Sequence, residues 1–157
     1  MTQDNNNNYF RWMEHVNIKN LHQFNNKMKW FTKIEPTKEY SHSDAVCYTK
    51  NGRKITVELK TRKETIEQFK SWGNVLIEPK KISHFTDVME SGFTLNENCL
   101  YINFTANGTI VFSFNDVKTP MTFYPNHRQY NPGKQRFEFE SRLGWSMKDA
   151  MIYENLS

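Results

Sequence analysis

Three residues of this sequence have types and spacing suited to one kind of chemistry: Asp44, Glu58 and Lys60. Two carboxylates and a backbone carbonyl, that of Leu59, offer hard oxygen ligands for Mg²⁺ or Mn²⁺. Such an ion keeps its remaining positions for water and a substrate phosphate. It can lower the pKa of a bound water and stabilise charge growing on a phosphoryl group. An ammonium beside the acids can orient the attacking water and stabilise negative charge as well.

That chemistry requires the three side chains to meet. Asp44-Ala-Val-Cys-Tyr-Thr and Ile55-Thr-Val-Glu-Leu-Lys are β-prone runs joined by Lys50-Asn51-Gly52-Arg53. Asn-Gly between two such runs predicts a hairpin with a type I′ turn, which needs positive φ at both central residues. Antiparallel pairing brings Asp44 to the end of the hairpin where Glu58-Leu59-Lys60 lies. In the Glu-x-Lys triplet the i and i+2 side chains leave the same strand face. The hairpin alone therefore delivers an acid beside an acid and an ammonium.

Around it, the chain alternates helical and strand patterns. A polar tail with four consecutive Asn is expected to be flexible over residues 1–8. Phe10, Met13, Val16, Leu21, Phe24, Met28 and Phe31 then recur at helical spacing, as one bent helix or two short ones. A first strand could lie within Met28 to Ile34. Thr61 to Trp72 reads as an irregular or short helical crossover, and Val75–Ile77 as a short apolar strand. Ile82, Phe85, Val88 and Met89 share one helix face, with Pro79 near its start and Gly92 beyond its end. A second hairpin, Cys99–Phe104 with Thr109–Phe114, turns at Asn107-Gly108. Pro120 to Gly133 reads as turns, Phe137–Phe139 as a short strand and Trp145–Tyr153 as a terminal helix. The order indicates an α/β fold with a mixed central sheet in a single domain, residues 9–157.

Composition sets bounds on this reading. Only 37% of the 157 residues are hydrophobic, but 12 Phe, 7 Tyr and 4 Trp can build a core, because each aromatic buries much area. The formal charge is +4, and residues 50–81 carry nine Lys or Arg against four Glu, so the basic surplus shares the stretch that holds Glu58 and Lys60. Such a surplus suits nucleic acid. Cys47 and Cys99 sit inside strand-like runs, which favours buried free thiols over a disulfide and points to a reducing, cytoplasmic setting. No leader-like segment and no run of transmembrane length is seen, so no membrane partner is expected. Two separated Cys make no zinc spacing, and no Gly-rich phosphate loop or nucleophile elbow appears.

Ser43-Asp44, a hairpin, then Val57-Glu58-Leu59-Lys60-Thr61-Arg62 resembles the signature of the PD-(D/E)XK phosphodiesterases, the restriction-endonuclease-like superfamily that includes Holliday-junction resolvases. The resemblance implies an αβββαβ core, here about residues 10–115, flanked by helices and followed by a C-terminal extension over 116–157. It implies that Asp44 and Glu58 bind the metal and that Lys60 positions or activates water. It also implies a divalent-metal-dependent nuclease acting on nucleic acid. DNA is favoured over RNA, with structure-selective or non-specific cleavage, as at a branched, nicked, viral or mobile-element intermediate. Ser43 stands where the signature has Pro. The family's first-helix acid, which sometimes joins the metal, would be Glu14.

Further residues are candidates for holding the nucleic acid. Arg62, Lys63 and Lys70 follow the motif and could contact phosphates, or form an ordinary solvated face. Glu78-Pro79-Lys80 is a competing Glu-x-Lys. Pro79 ends strand pairing there, which makes Glu78, Lys80 and Lys81 rim residues at a helix start. Tyr40 and His42 approach the Asp44 strand and could position substrate. Tyr124, His127, Arg128, Tyr130, Lys134 and Arg136 could stack unpaired bases, but packing over the core as a long loop is favoured slightly. Two other readings stand beside the nuclease: an inactive nucleic-acid-binding module of the same fold, and a protein-interaction domain built on the C-terminal third. The chain could also pair with a second copy.

Overall fold

The computed structural model describes residues 3–38, 43–91 and 97–154. Its order is α1 (Gln3–Met28), β1 (Lys33–Pro36), β2 (Ala45–Tyr48), β3 (Lys54–Thr61), α2 (Ile66–Trp72), β4 (Asn74–Ile77), α3 (Pro79–Ser91), β5 (Glu97–Thr105), β6 (Gly108–Ser113), β7 (Thr122–Asn131), β8 (Arg136–Ser146) and β9 (Met151–Glu154). The class is α/β with a mixed central sheet, as the sequence indicates.

Among the described residues, the central sheet has six strands in the order β1-β2-β3-β5-β6-β9. Only β3 and β5 pair in parallel; the other neighbours are antiparallel. A parallel pair needs a crossover, and α2, β4 and α3 supply it. α2 is started by a capping box between Thr65 and Gln68 and stopped at Gly73, φ 81°. The strand β4 does not join the central sheet. It pairs with β8 in a second, three-stranded sheet of order β4-β8-β7.

Side-chain alternation divides the central sheet into two faces. On one, Ala45, Cys47, Ile55, Val57, Leu59, Leu100, Ile102 and Val111 pack with Leu21 and Phe24 of α1. On the other, Cys99, Tyr101, Ile110 and Phe112 meet Ile66 and Phe69 of α2, Phe85 of α3, Val75 and Ile77 of β4, and Trp145 of β8. Trp145 is fully buried and stacks on Phe112, centroids 4.8 Å apart. Removing such a side chain from water is worth about 4–6 kcal/mol at 25 cal/mol per Å². The second sheet is thereby held onto the first.

Several sequence expectations change. Helix α1 is a single element and begins at Gln3, so helix runs through much of the span expected as a flexible tail. The first hairpin forms, but its turn is not type I′. Thr49 and Arg53 face each other, Gly52 N–H donates to the Thr49 carbonyl at 2.9 Å, and only Gly52 has positive φ, 77°. This is the three-residue loop with glycine in the left-handed position. The second hairpin closes Thr105 against Gly108, so the loop is Ala106-Asn107. Gly108 is already in β6. A Cβ there would collide with the Tyr153 carbonyl and with Ile66 Cδ1, so close approach of β9 and α2 explains the glycine. The expected terminal helix is instead the end of β8, a 3-10 turn at Met147–Asp149 and β9. The expected loop of 120–133 is mostly strand β7. Long-range pairing with β4, β6 and β8 overrides local helix and turn signals there.

Cys47 and Cys99 are buried and not joined by a disulfide, and burial pushes the Cys47 thiol up to about 12. Among the described residues, no helix is long and apolar enough to cross a membrane.

Candidate active site

Asp44 immediately precedes the first paired residue of β2, Ala45, whose partner is Val57. The acid is therefore set beside Glu58. Its N–H donates to the Val57 carbonyl at 3.0 Å, and its Oδ2 accepts from the Leu59 N–H at 2.7 Å. Backbone bonds thus fix both ends of Asp44 before any ligand arrives. The contact at Leu59 is made by its N–H; nothing in the geometry singles out its carbonyl.

Glu58 and Lys60 project from the sheet face opposite α1, since Val57 and Leu59 are the residues packed with that helix. Glu58 is buried, and its Oε1 forms an ion pair with Lys81 Nζ at 3.2 Å. Its Oε2 is buried and accepts no hydrogen bond among the described residues, and the Asp44 carboxyl lies close enough to share a proton with it. Burial, then the Asp44 charge, pushes the Glu58 carboxyl up to about 8, against the pull of Lys81. Burial also raises Asp44, opposed by the Leu59 N–H and by Lys81 and Lys60. Two neighbouring carboxyls that both resist ionisation define a place where added positive charge would be stabilised.

Lys81 is the residue the sequence undervalued. It lies in the first turn of α3, which contains no acid. A cation there opposes the helix dipole, yet its side chain turns to Glu58. Burial works against the Lys81 charge, but Glu58 and Asp44 outweigh it and raise its pKa. Expected as a rim contact, it is instead the counter-charge of the site.

Lys60 stays exposed, although the protein gathered round it lowers its pKa, with Arg62 adding to the effect. Glu78, Arg142 and Glu58 also act on it, the two acids opposing the shift. Arg142 comes from β8 and is buried, with Nη1 donating to Glu140 at 3.0 Å. No sequence signal pointed to it, because only the pairing of β8 with β4 carries it to the Lys60 neighbourhood. Glu78 is ion-paired with Lys80 at 3.1 Å on an exposed surface, a contact of little energetic weight.

Two other assignments need correction. Arg62 is committed internally: Nε donates to Asn103 Oδ1 at 2.8 Å, and Nη2 to the Leu76 carbonyl and Tyr101 Oη, both at 2.7 Å. It ties β3 and β5 to β4, leaving little of its fork for a phosphate. Glu14 lies on the exposed side of α1. That helix covers the opposite face of the sheet, where Asn17 and Asn20 bond to Thr61. Lys63 and Lys70 are exposed, on the loop after β3 and in the last turn of α2. His42 and Tyr40 lie outside the described residues.

Among the described residues, no group of three or more His, Cys, Asp or Glu side chains is arranged to hold a metal ion. The acid set is thus a pair, Asp44 and Glu58. No protein-family model, curated protein or solved structure matches the chain.

Proposed function

We propose that the chain is a divalent-metal-dependent nuclease that hydrolyses phosphodiester bonds, with Asp44, Glu58 and Lys60 as its catalytic group. The observation that carries this is the pair of adjacent carboxyls, Glu58 buried and Asp44 half-buried, within hydrogen-bonding reach of each other and both held back from ionisation by burial. Burying a carboxylate oxygen unpaired costs several kcal/mol unless a cation or proton satisfies it. Mg²⁺ is commonly held by one or two carboxylates plus substrate phosphate, so two acids are a sufficient protein share. Asp44 and Glu58 would hold the ion. When bound, it would supply an acidified water and charge stabilisation at the phosphoryl oxygens.

The chain's own residues then have separable roles. The Leu59 N–H fixes the Asp44 carboxylate. Lys60, two residues from Glu58 on the same face, orients the attacking water and stabilises developing negative charge. Lys81 balances Glu58 in the metal-free chain and is placed to turn toward phosphate once a stronger cation arrives. The element order also supports the reading. Helix α1, strands β1-β2-β3, a helical crossover and β5 parallel to β3 follow the αβββαβ order, with β4 diverted to the second sheet. The preference for DNA, structure-selective or non-specific, rests on the signature residues alone.

The test is incubation of the protein with plasmid, branched DNA and RNA, in Mg²⁺ or Mn²⁺ and in EDTA. Metal-dependent cleavage, lost in Asp44→Ala and Lys60→Ala, is expected. Binding of every substrate without cleavage would favour an inactive binding module, in which Lys81 permanently occupies Glu58.

A further inference from the structure

Strands β7 and β8 form a two-stranded ribbon that continues well beyond their contact with β4. Only Asn74–Ile77 of β4 pairs with β8, at Leu143–Ser146, and residues 136–142 run on past the C-terminal end of β4. That end carries Glu78 and leads into Lys80 and Lys81, so the ribbon leaves the body at the same end as the acids. Arg142, at its base, acts on Lys60.

The register assigns its side chains to two faces. Arg128 pairs with Phe139, Tyr130 with Phe137 and Phe123 with Leu143. Partners across an antiparallel pair point to the same side. Phe123, Arg128, Tyr130, Phe137 and Phe139 therefore share one face. Along β8 it continues through Leu143 to Trp145, which packs on the central sheet. Beyond the body this face is uncovered: Phe139 is 65% exposed, Phe123 59%, Phe137 54% and Tyr130 52%. The Arg128 guanidinium lies over the Phe137 ring, 3.8 Å from its centroid.

Four large exposed aromatics in one stripe mark a binding surface. Aromatic rings and an arginine plane are the groups on which unpaired bases stack. This face carries the Arg128 guanidinium among its rings, whereas Lys134 and Arg136 are ion-paired to Glu138, and Arg142 to Glu140. Aromatics with arginine also occur at contacts between protein copies. The Arg128 plane stacked on Phe137 and the exit of the ribbon at the end of the body that carries the acids favour a nucleic-acid occupant. We infer that the aromatic face of the β7–β8 ribbon binds an unpaired nucleic-acid strand and leads it to the Asp44–Glu58 site. This rests on the nuclease reading and names its substrate class as one with an unpaired strand.

The experiment is fluorescence anisotropy of a labelled oligothymidylate and of a duplex control, in EDTA so that nothing is cut. It compares wild type, the Phe137→Ala/Phe139→Ala double variant and Arg128→Ala, with thermal melts and sedimentation on each. Wild type is expected to bind the single strand more tightly than the duplex. The double variant should lose about tenfold or more in affinity with an unchanged melt, since these side chains are exposed. Arg128→Ala should lose less, with a shallower salt dependence. Equal binding by wild type and the double variant, or no binding of the strand at all, overturns the inference. So does a double variant that shifts from dimer to monomer with strand binding unchanged, which would make the stripe a contact between copies. Ribbon-dependent binding in a protein that cuts nothing with Mg²⁺ would sink the nuclease reading and leave the ribbon assignment standing.

Discussion

The two faces of the central sheet are built by different rules. Toward α1, the strands present an apolar surface that runs to Phe104 and is covered by Leu21, Phe24 and Phe31, with the Asn17–Thr61–Asn20 hydrogen bonds at its edge. Toward α2, α3 and the second sheet, an equally dense aromatic core around Trp145 gives way at one end to Asp44, Glu58, Lys60 and Lys81. A buried charge costs stability that an apolar residue of similar size would not. One face is thus a solution to folding alone, whereas the other accepts a folding cost at a single place. Perturbed carboxyls gathered in one place are the usual mark of a working site.

The comparison can be broken first at its largest difference. Asp44→Ala and Lys60→Ala should reduce cleavage by about 10²–10³-fold or more while the fold persists; circular dichroism beside the nuclease assay checks both. Leu21→Ala, on the apolar face, should do the reverse. It should cost about 2–5 kcal/mol in denaturant unfolding, with the activity per folded molecule kept. A fully stable Leu21→Ala would mean that α1 is not the lid this account makes it.

A subtler difference is the pH response. Between the ordinary glutamate range and about 8, the folded metal-free chain keeps a proton on Glu58 that the unfolded chain has released. Stability should therefore fall as pH rises through that window, by an amount on the order of a few kcal/mol. Glu58→Gln should flatten the slope and be the more stable protein at its upper end. Unfolding curves across that range measure it, and an unchanged slope in the variant would remove Glu58 as its source.

Gly108→Ala should cost about 1–3 kcal/mol from the collision with the Tyr153 carbonyl and Ile66. The smallest expected effect concerns Cys47, whose buried thiol should resist alkylation until the chain unfolds.

Much of the first hairpin was legible, because Asn51-Gly52 and the strand alternation are local signals, and with them came the placement of Asp44 beside Glu58. The type I′ turn was not, since Thr49 and Arg53 extend the pairing by a step. Asn107-Gly108 carried the same dipeptide for another reason: Gly108 answers to β9, a strand more than forty residues away. The β7–β8 ribbon escaped because its exposed aromatic face mimics the irregular composition of a loop, and Pro125 interrupts the pattern. Lys81 and Arg142 could be identified as basic, but their approach to Glu58 and Lys60 depends on the docking of α3 and β8. No spacing within the chain encodes that.

The most direct test of the central claim is calorimetric titration of the protein with Mn²⁺ in the absence of nucleic acid. One site per chain is expected, lost in Asp44→Ala and in Glu58→Gln and unaffected by Glu14→Ala. No Mn²⁺ uptake, or uptake that survives both site substitutions, would contradict the assignment of Asp44 and Glu58 as a shared cation site.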